Sequence, residues 1–124
     1  MASKIHEHVK ALLEEIYPSC PIVEEYPIKV DNRNLRIDLF VTYPFNVAVE
    51  CQGEQHYKFV PHFHRTKSNF RDALRRDRVK ENWCFEHYVA LVYVDDGDFI
   101  TKEELKRRIE EAEKALDKHY GVCE

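Results

Sequence analysis

The chain has no apolar run approaching the roughly 20 residues that a membrane-spanning helix needs, and no signal peptide precedes its first predicted helix. It also has no excess of positive charge, since 19 Lys and Arg against 23 Asp and Glu give a formal net charge of −4. That balance argues against a protein that coats nucleic acid by bulk attraction. Repeats, low-complexity tracts and linkers are absent as well. We therefore expect one domain over residues 1–124 and no membrane partner, with 44% hydrophobic residues to form its core.

Cysteine spacing that would mark a disulfide framework is also missing. The four cysteines lie far apart, at Cys20, Cys51, Cys84 and Cys123. Cys51 falls in a predicted strand and Cys84 in a predicted helix, so buried thiols are favoured over disulfides. A protein with this cysteine pattern fits a reducing cytoplasm.

Hydrophobic periodicity and turn residues predict seven elements in the order α-β-β-β-α-β-α. The predicted helices cover about 3–17, 68–86 and 101–121, and the predicted strands cover 22–30, the apolar runs on either side of a turn at 42–45, and 88–94. Thr101 and Glu104 form a capping box for the last helix. This order is typical of a mixed β-sheet of about four strands flanked by helices, an α/β layered domain.

Two carboxylates mark the hairpin predicted around the turn at 42–45. Side chains alternate between the two faces of a strand, so Asp38 and Glu50 each point away from the apolar face of their own strand. A hairpin closing on Pro44 sets them opposite each other, where like charges destabilise a strand pair. A divalent cation gains two ligands from the same arrangement. The pattern indicates a metal site, and a solvated face of an antiparallel sheet is the alternative.

Positive charge is concentrated between residues 64 and 80, in and just before the second predicted helix. Arginine and lysine side chains along one helix can neutralise the phosphates of a nucleic acid. The predicted phosphate contacts are Lys67, Arg71, Arg75, Arg76 and Arg78. A merely solvated basic helix is the alternative.

One acidic residue lies on the apolar side of this basic helix. The helical period predicts a buried stripe of Phe70, Ala73, Leu74 and Cys84. Asp77 is seven residues from both Phe70 and Cys84, and a carboxylate on this face must be paired, hydrogen-bonded or linked to a metal. Arg36, on the same strand face as Asp38, is a candidate partner. A structural Asp–Arg bridge and a supporting role beside the metal site are both open.

Two short motifs follow the carboxylates, GEQHY at 53–57 and RDRVK at 76–80. Together with Asp38 and Glu50, they resemble the PD-(D/E)XK nuclease superfamily, and within it the small branch around the very-short-patch repair endonuclease and related phage and homing nucleases. The resemblance runs from about residue 3 to about residue 95. It implies a restriction-endonuclease-like core and a metal-dependent endonuclease that hydrolyses DNA phosphodiester bonds with a metal-activated water. It also implies a role in DNA repair or recombination, in the cytoplasm of a bacterial or phage-infected cell.

The resemblance implies that Mg²⁺ or Mn²⁺ is bound by Asp38, Glu50 and the backbone carbonyl of Cys51. The family expects a lysine two residues after the glutamate, and this chain has Gln52 there. Glutamine can hydrogen-bond a water but supplies no positive charge. Some members of the family carry the lysine on the following helix instead. By this resemblance, Lys80 is the candidate that replaces the missing lysine.

Two further catalytic residues come from the same resemblance. His56 matches the Gly-x-x-His position and is a candidate for proton transfer, with a loop histidine bonded to backbone as the alternative. Glu7 best matches the carboxylate that many of these nucleases take from the first helix, although surface glutamates are common on helices. A structural zinc is known in the branch, but this chain has no Cys-x-x-Cys or His-x-x-x-His spacing, so we do not expect zinc. The residues considered for it are Cys51, Cys84, His62 and His64.

A catalytically weak relative that binds nucleic acid or a protein through the same face is the competing hypothesis, and an interaction protein with surface carboxylates is a more remote one. Lys80 within about 4 Å of the carboxylate pair would favour the enzyme, because a charge acts strongly at that distance. A domain of this size makes one active site. Cutting both DNA strands would therefore take a homodimer or two successive nicks.

Overall fold

The computed structural model describes residues 4–52, 67–95 and 99–121. The helices are α1 (Lys4–Ile16), α2 (Lys67–Glu86) and α3 (Lys102–His119), and the strands are β1 (Ile22–Val30), β2 (Arg33–Val41), β3 (Val47–Gln52) and β4 (Ala90–Asp95). The order α-β-β-β-α-β-α and the α/β class predicted from the sequence are confirmed. In the part of the chain that the structure describes, no helix is both long and apolar enough to cross a bilayer.

The four strands form one mixed sheet in the order β1-β2-β3-β4. Short turns join β1 to β2 and β2 to β3, and both pairs are antiparallel. The connection from β3 to β4 runs through α2, and these two strands are parallel. A parallel neighbour needs such a crossover, whereas a short turn returns the chain antiparallel.

The strand predicted at 88–94 begins two residues later than expected. Tyr88 takes a left-handed conformation (φ 58°), and the Val89 amide donates to the Cys84 carbonyl at 2.8 Å. This six-to-one hydrogen bond is the Schellman ending of a helix. Residues 88 and 89 therefore terminate α2, and the strand starts at Ala90.

Helices cover both faces of the sheet. On one face α1 and α3 bury the first apolar cluster, in which Val9 and Leu105 pack with Leu39 and Val49. On the other face the C-terminal half of α2 covers a second cluster, in which Cys84 packs with residues of the strands, Ile28, Ile37, Phe40 and Ala48. β3 and β4 alternate between the two clusters, as the period of two requires. β2 does not keep this alternation through Asp38, because Ile37 lies in the second cluster and Leu39 in the first, although both were predicted on one face. A site on the α2 face is thus enclosed between the sheet and that helix.

One residue predicted on the buried stripe of α2 is exposed, whereas the predicted buried thiol of this helix is confirmed. Leu74 was expected on the buried stripe, but it is 43% exposed, because the packed part of the helix starts near Asp77 and Leu74 lies one turn before it. Cys84 is buried as predicted, and burial raises the pKa of its thiol to about 12. Cys51 packs against the first cluster, on the opposite face from Cys84, so these two thiols do not share a zinc site.

Candidate active site

The carboxylate pair lies where β2 and β3 stop pairing. The ladder between them runs from Val41 opposite Val47 to Leu39 opposite Val49 and ends there. Asp38 and Glu50 are the next residues after this last pair, and they are adjacent as predicted, although they are not themselves a pair of the ladder. The sheet itself thus brings the two acidic side chains together.

Each carboxylate accepts a backbone N–H from the neighbouring strand. The amide of Asp38 donates to Oε2 of Glu50 at 2.8 Å, and the amide of Cys51 donates to Oδ2 of Asp38 at 2.9 Å. These two donors lie just beyond the last ladder pair, where they would otherwise lack a partner. The reciprocal bonds hold both carboxylates at the point where the strands diverge. Nothing in the residue pattern had indicated these bonds.

Lys80 of α2 completes the centre. Its Nζ donates to Oε1 of Glu50 at 2.6 Å, which is within the distance of about 4 Å considered in the sequence analysis. The Lys80 side chain is 18% exposed and that of Glu50 is 3% exposed. A solvated sheet face and a protein with only surface carboxylates are both inconsistent with this burial. The ion pair is short, and it is shielded from water by the helix that supplies it.

The electrostatics of the pair raise the pKa of the Glu50 carboxyl to about 7. Burial is the largest cause and the charge of Asp38 is the second, while the ion pair with Lys80 and the Asp38 amide act in the opposite direction. Desolvation and a like charge both disfavour the ionised form of an acid. The Glu50 carboxyl therefore titrates near neutrality, and a positive charge placed beside it would favour its ionised form.

Next to the Glu50–Lys80 ion pair lie a tyrosine and a second layer of acidic groups, formed by Asp77 and Glu81 of α2. Tyr93 of β4 is the register partner of Glu50, and its hydroxyl donates to Oε1 of Glu81 at 2.6 Å. Burial, this hydrogen bond, and then the charges of Glu81, Asp77 and Glu50 raise the pKa of the Tyr93 hydroxyl. Asp77 is half-buried and belongs to this layer, as its helical position predicted. Sequence reasoning missed Tyr93, although its place in an alternating strand was visible.

Two predicted contributors lie elsewhere. Arg36 does not bridge to Asp77. Its side chain is 71% exposed, and its guanidinium lies 3.8 Å from Oε2 of Glu25 in β1. Glu7 is exposed, and its helix packs on the face of the sheet opposite to Lys80. The buried neighbour of Glu7 is His6, whose Nε2 lies 3.0 Å from Glu24. The first-helix carboxylate expected from the resemblance is thus not brought to the pair.

Several predicted residues fall outside the described part of the chain. His56, His62 and His64 all lie within 53–66, and the side chains of Gln52 and Lys67 are also not described. Their roles stay predictions. Within 4–52, 67–95 and 99–121, no three His, Cys, Asp or Glu side chains are grouped as metal ligands.

The predicted basic surface is present along α2. Four arginines of this helix, named below the α2 arginines, are exposed: Arg71, Arg75, Arg76 and Arg78. Arg75 also forms an ion pair with Asp72, at 3.0 Å. Beside them lies an open cavity of about 580 Å³, named below the basic groove, which is lined by Arg33, Asn34, Leu35, Asp72, Arg75 and Arg76. Sequence reasoning missed Arg33 and Asn34, because only the fold brings the start of β2 against α2.

Comparison with known proteins gives two viral relatives. The chain is 42% identical over 66 residues to uncharacterized protein 307L of Invertebrate iridescent virus 6, and 37% identical over 65 residues to uncharacterized protein 033L of Invertebrate iridescent virus 3. These matches cover 53% and 52% of this chain, and the chain spans about a third of the length of each relative (33%). No protein-family model and no solved structure matches the chain significantly.

Proposed function

We propose that this protein is a metal-dependent endonuclease that hydrolyses phosphodiester bonds of DNA at the Asp38–Glu50 pair. One observation carries the proposal. Where the resembled nucleases place a lysine, this chain has Gln52, and α2 instead delivers the ammonium group of Lys80 to Glu50 at 2.6 Å. Two facing carboxylates with a lysine beside them supply both the metal ligands and the positive charge that phosphodiester hydrolysis needs.

The donor set fits Mg²⁺ or Mn²⁺. Both ions prefer oxygen ligands, with one or two carboxylates and the rest of the positions taken by water and phosphate. Asp38 keeps Oδ1 without a partner among the described residues, and a bound cation would favour the ionised form of Glu50, whose pKa is raised by burial and by Asp38. The ion would be held by Asp38, Glu50 and the backbone carbonyl of Cys51. Bound there, it would acidify a water and neutralise charge on the phosphate.

The residues of the chain have separable tasks in this proposal. Lys80, fixed by Glu50 and largely shielded from solvent, would donate a hydrogen bond to the attacking water or to a phosphate oxygen. A preorganised charge of this kind is most effective where water is excluded, because screening is weak there. Tyr93 and Glu81 hold α2 against β4 close to this lysine. The α2 arginines would bind the DNA backbone.

The relatives support a viral setting for this activity. Both come from invertebrate iridescent viruses, so we propose the cytoplasm of an infected cell as the place of action and DNA as the partner. Because the chain matches only a third of each relative, the proposal concerns this domain and not the whole of those proteins. A homodimer would give two such centres, one for each strand of a duplex.

Cleavage of supercoiled plasmid and of branched oligonucleotides tests the proposal. The wild-type protein should nick or cut these DNAs with Mg²⁺ or Mn²⁺ and not with a chelator. The Glu50→Gln variant should be inactive, while a Glu14→Gln variant, altered at an exposed glutamate of α1, should cleave like wild type. DNA binding without cleavage under all these conditions would favour the weak, binding-only relative. Equal cleavage by the Glu50→Gln protein would contradict the proposed site.

A further inference from the structure

The basic groove joins two elements that are far apart in the sequence. One wall is the start of β2, with Arg33 and Asn34, and the other is the first half of α2, with Arg75 and Arg76. Arg33 and Arg76 are exposed, and neither has an ion-pair partner among the described residues. Its described lining therefore presents three guanidinium groups against the single carboxylate of Asp72.

Both walls of the groove lead to the carboxylate pair. Arg76 precedes Lys80 by four residues, which is about 6 Å along a helix. Leu35 precedes Asp38 by three residues, which is about 10 Å along a strand. A chain of phosphates that lies in the groove can thus reach the pair without leaving the surface between β2 and α2.

We infer that the basic groove seats one phosphodiester strand of a nucleic acid and leads it to the Asp38–Glu50 pair, with Arg33 as a phosphate contact outside α2. The statement that the strand leads to the carboxylate pair rests on the proposed nuclease function. Binding of the strand in the groove does not require cleavage. Among the residues that the structure describes, the lining contains no aromatic side chain on which a base could stack. Arginines that meet phosphates position a nucleic acid without reading its sequence. An acidic peptide would suit the charge, but only a phosphodiester chain also suits the centre at the end of the groove.

Binding measured in a chelator tests this inference independently of catalysis. Fluorescence anisotropy would use labelled duplex DNA, single-stranded DNA and RNA, with polyglutamate as a competitor. Loss of one phosphate contact lowers the slope of log affinity against log salt by about 0.9 on duplex DNA and about 0.7 on single strands. Arg33→Ala should therefore weaken duplex binding about eightfold at about 0.1 M salt, and its affinity should approach that of wild type near 1 M.

Two further variants separate the groove from general charge effects. Asp72→Asn removes the negative charge that the described lining of the groove contains and releases Arg75 from its ion pair. Duplex binding should therefore tighten by a factor of the same order as the roughly eightfold loss expected for Arg33→Ala. Lys106→Ala, at an exposed position of α3 on the other face of the sheet, should leave the affinity unchanged. Circular dichroism and the melting temperature would show that each variant is folded.

The outcomes divide clearly. A selective loss with Arg33→Ala and a gain with Asp72→Asn support the groove, and the arm with the highest affinity identifies duplex, single strand or RNA. Equal losses of affinity with Arg33→Ala and Lys106→Ala would overturn the inference. Displacement of the nucleic acid by polyglutamate of equal charge would also overturn it. A protein that binds through Arg33 but never cleaves would retain this inference and refute the proposed nuclease.

Discussion

Replacing Glu50 by glutamine should stabilise the protein above neutral pH while it abolishes metal binding. The buried Glu50 carboxylate faces Asp38, and even with the ion pair to Lys80 the pKa of Glu50 is raised from 4.5 to about 7. Glutamine keeps the shape of the side chain, and its carbonyl oxygen can still accept the hydrogen bond from the Asp38 amide. It removes only the charge, so it imitates the protonated carboxyl.

The magnitude follows from the two pKa values. Below the unfolded-state pKa of 4.5 the carboxyl is protonated in both states, and its contribution to stability is fully present. As the pH rises to about 7 the unfolded chain releases its proton first, so the stability of the wild type falls until the native carboxyl ionises as well. A shift of this size corresponds to about 3 kcal/mol in the free energy of unfolding. The Glu50→Gln protein lacks this loss.

Urea denaturation at pH 5 and pH 8 measures the effect. The difference in unfolding free energy, Glu50→Gln minus wild type, should increase by about 2.5 kcal/mol between these pH values, because a small part of the shift already lies below pH 5. The exposed-site control Glu14→Gln should show no such change, and Mg²⁺ should stabilise wild type at pH 8 but not Glu50→Gln. The opposite result would be a Glu50→Gln protein that is less stable than wild type, with a larger deficit at pH 8 than at pH 5. The ionised Glu50–Lys80 pair would then be a stabilising bridge, and the reasoning would be refuted.

Three other predictions concern metal, turnover and binding. Calorimetry should show Mg²⁺ or Mn²⁺ affinity rising with pH up to about 7, as Glu50 ionises, and equal affinity in an Asp38→Asn, Glu50→Gln double variant would contradict the site. Lys80→Ala should cut turnover by about 10²–10³ and Gln52→Lys should restore part of it, whereas unchanged turnover would make Lys80 structural. Charge reversal of the α2 arginines should weaken DNA binding evenly across sequences and flatten its salt dependence, unless the helix is merely solvated.

Local periodicity by itself determined much of this protein. The short turn at 42–45 predicted that Asp38 and Glu50 lie next to each other, because an antiparallel hairpin fixes its register locally. The helical period predicted that Asp77 faces the sheet and that Lys80 lies beside it. The order of the elements was predicted for the same reason, since each depends on neighbours in the sequence.

Only the tertiary structure decided what surrounds these residues. The backbone bonds to both carboxylates exist because β2 and β3 diverge after Leu39, and the raised pKa of Glu50 exists because α2 covers it. The contact of Tyr93 with Glu81 and the meeting of Arg33 with α2 join segments about 12 and 40 residues apart, which no local pattern specifies. Glu7 is the reverse case, since a motif predicted it for the site and the packing of α1 left it in solvent. Burial and long-range proximity are properties of the packed chain, and they determine the chemistry of this site.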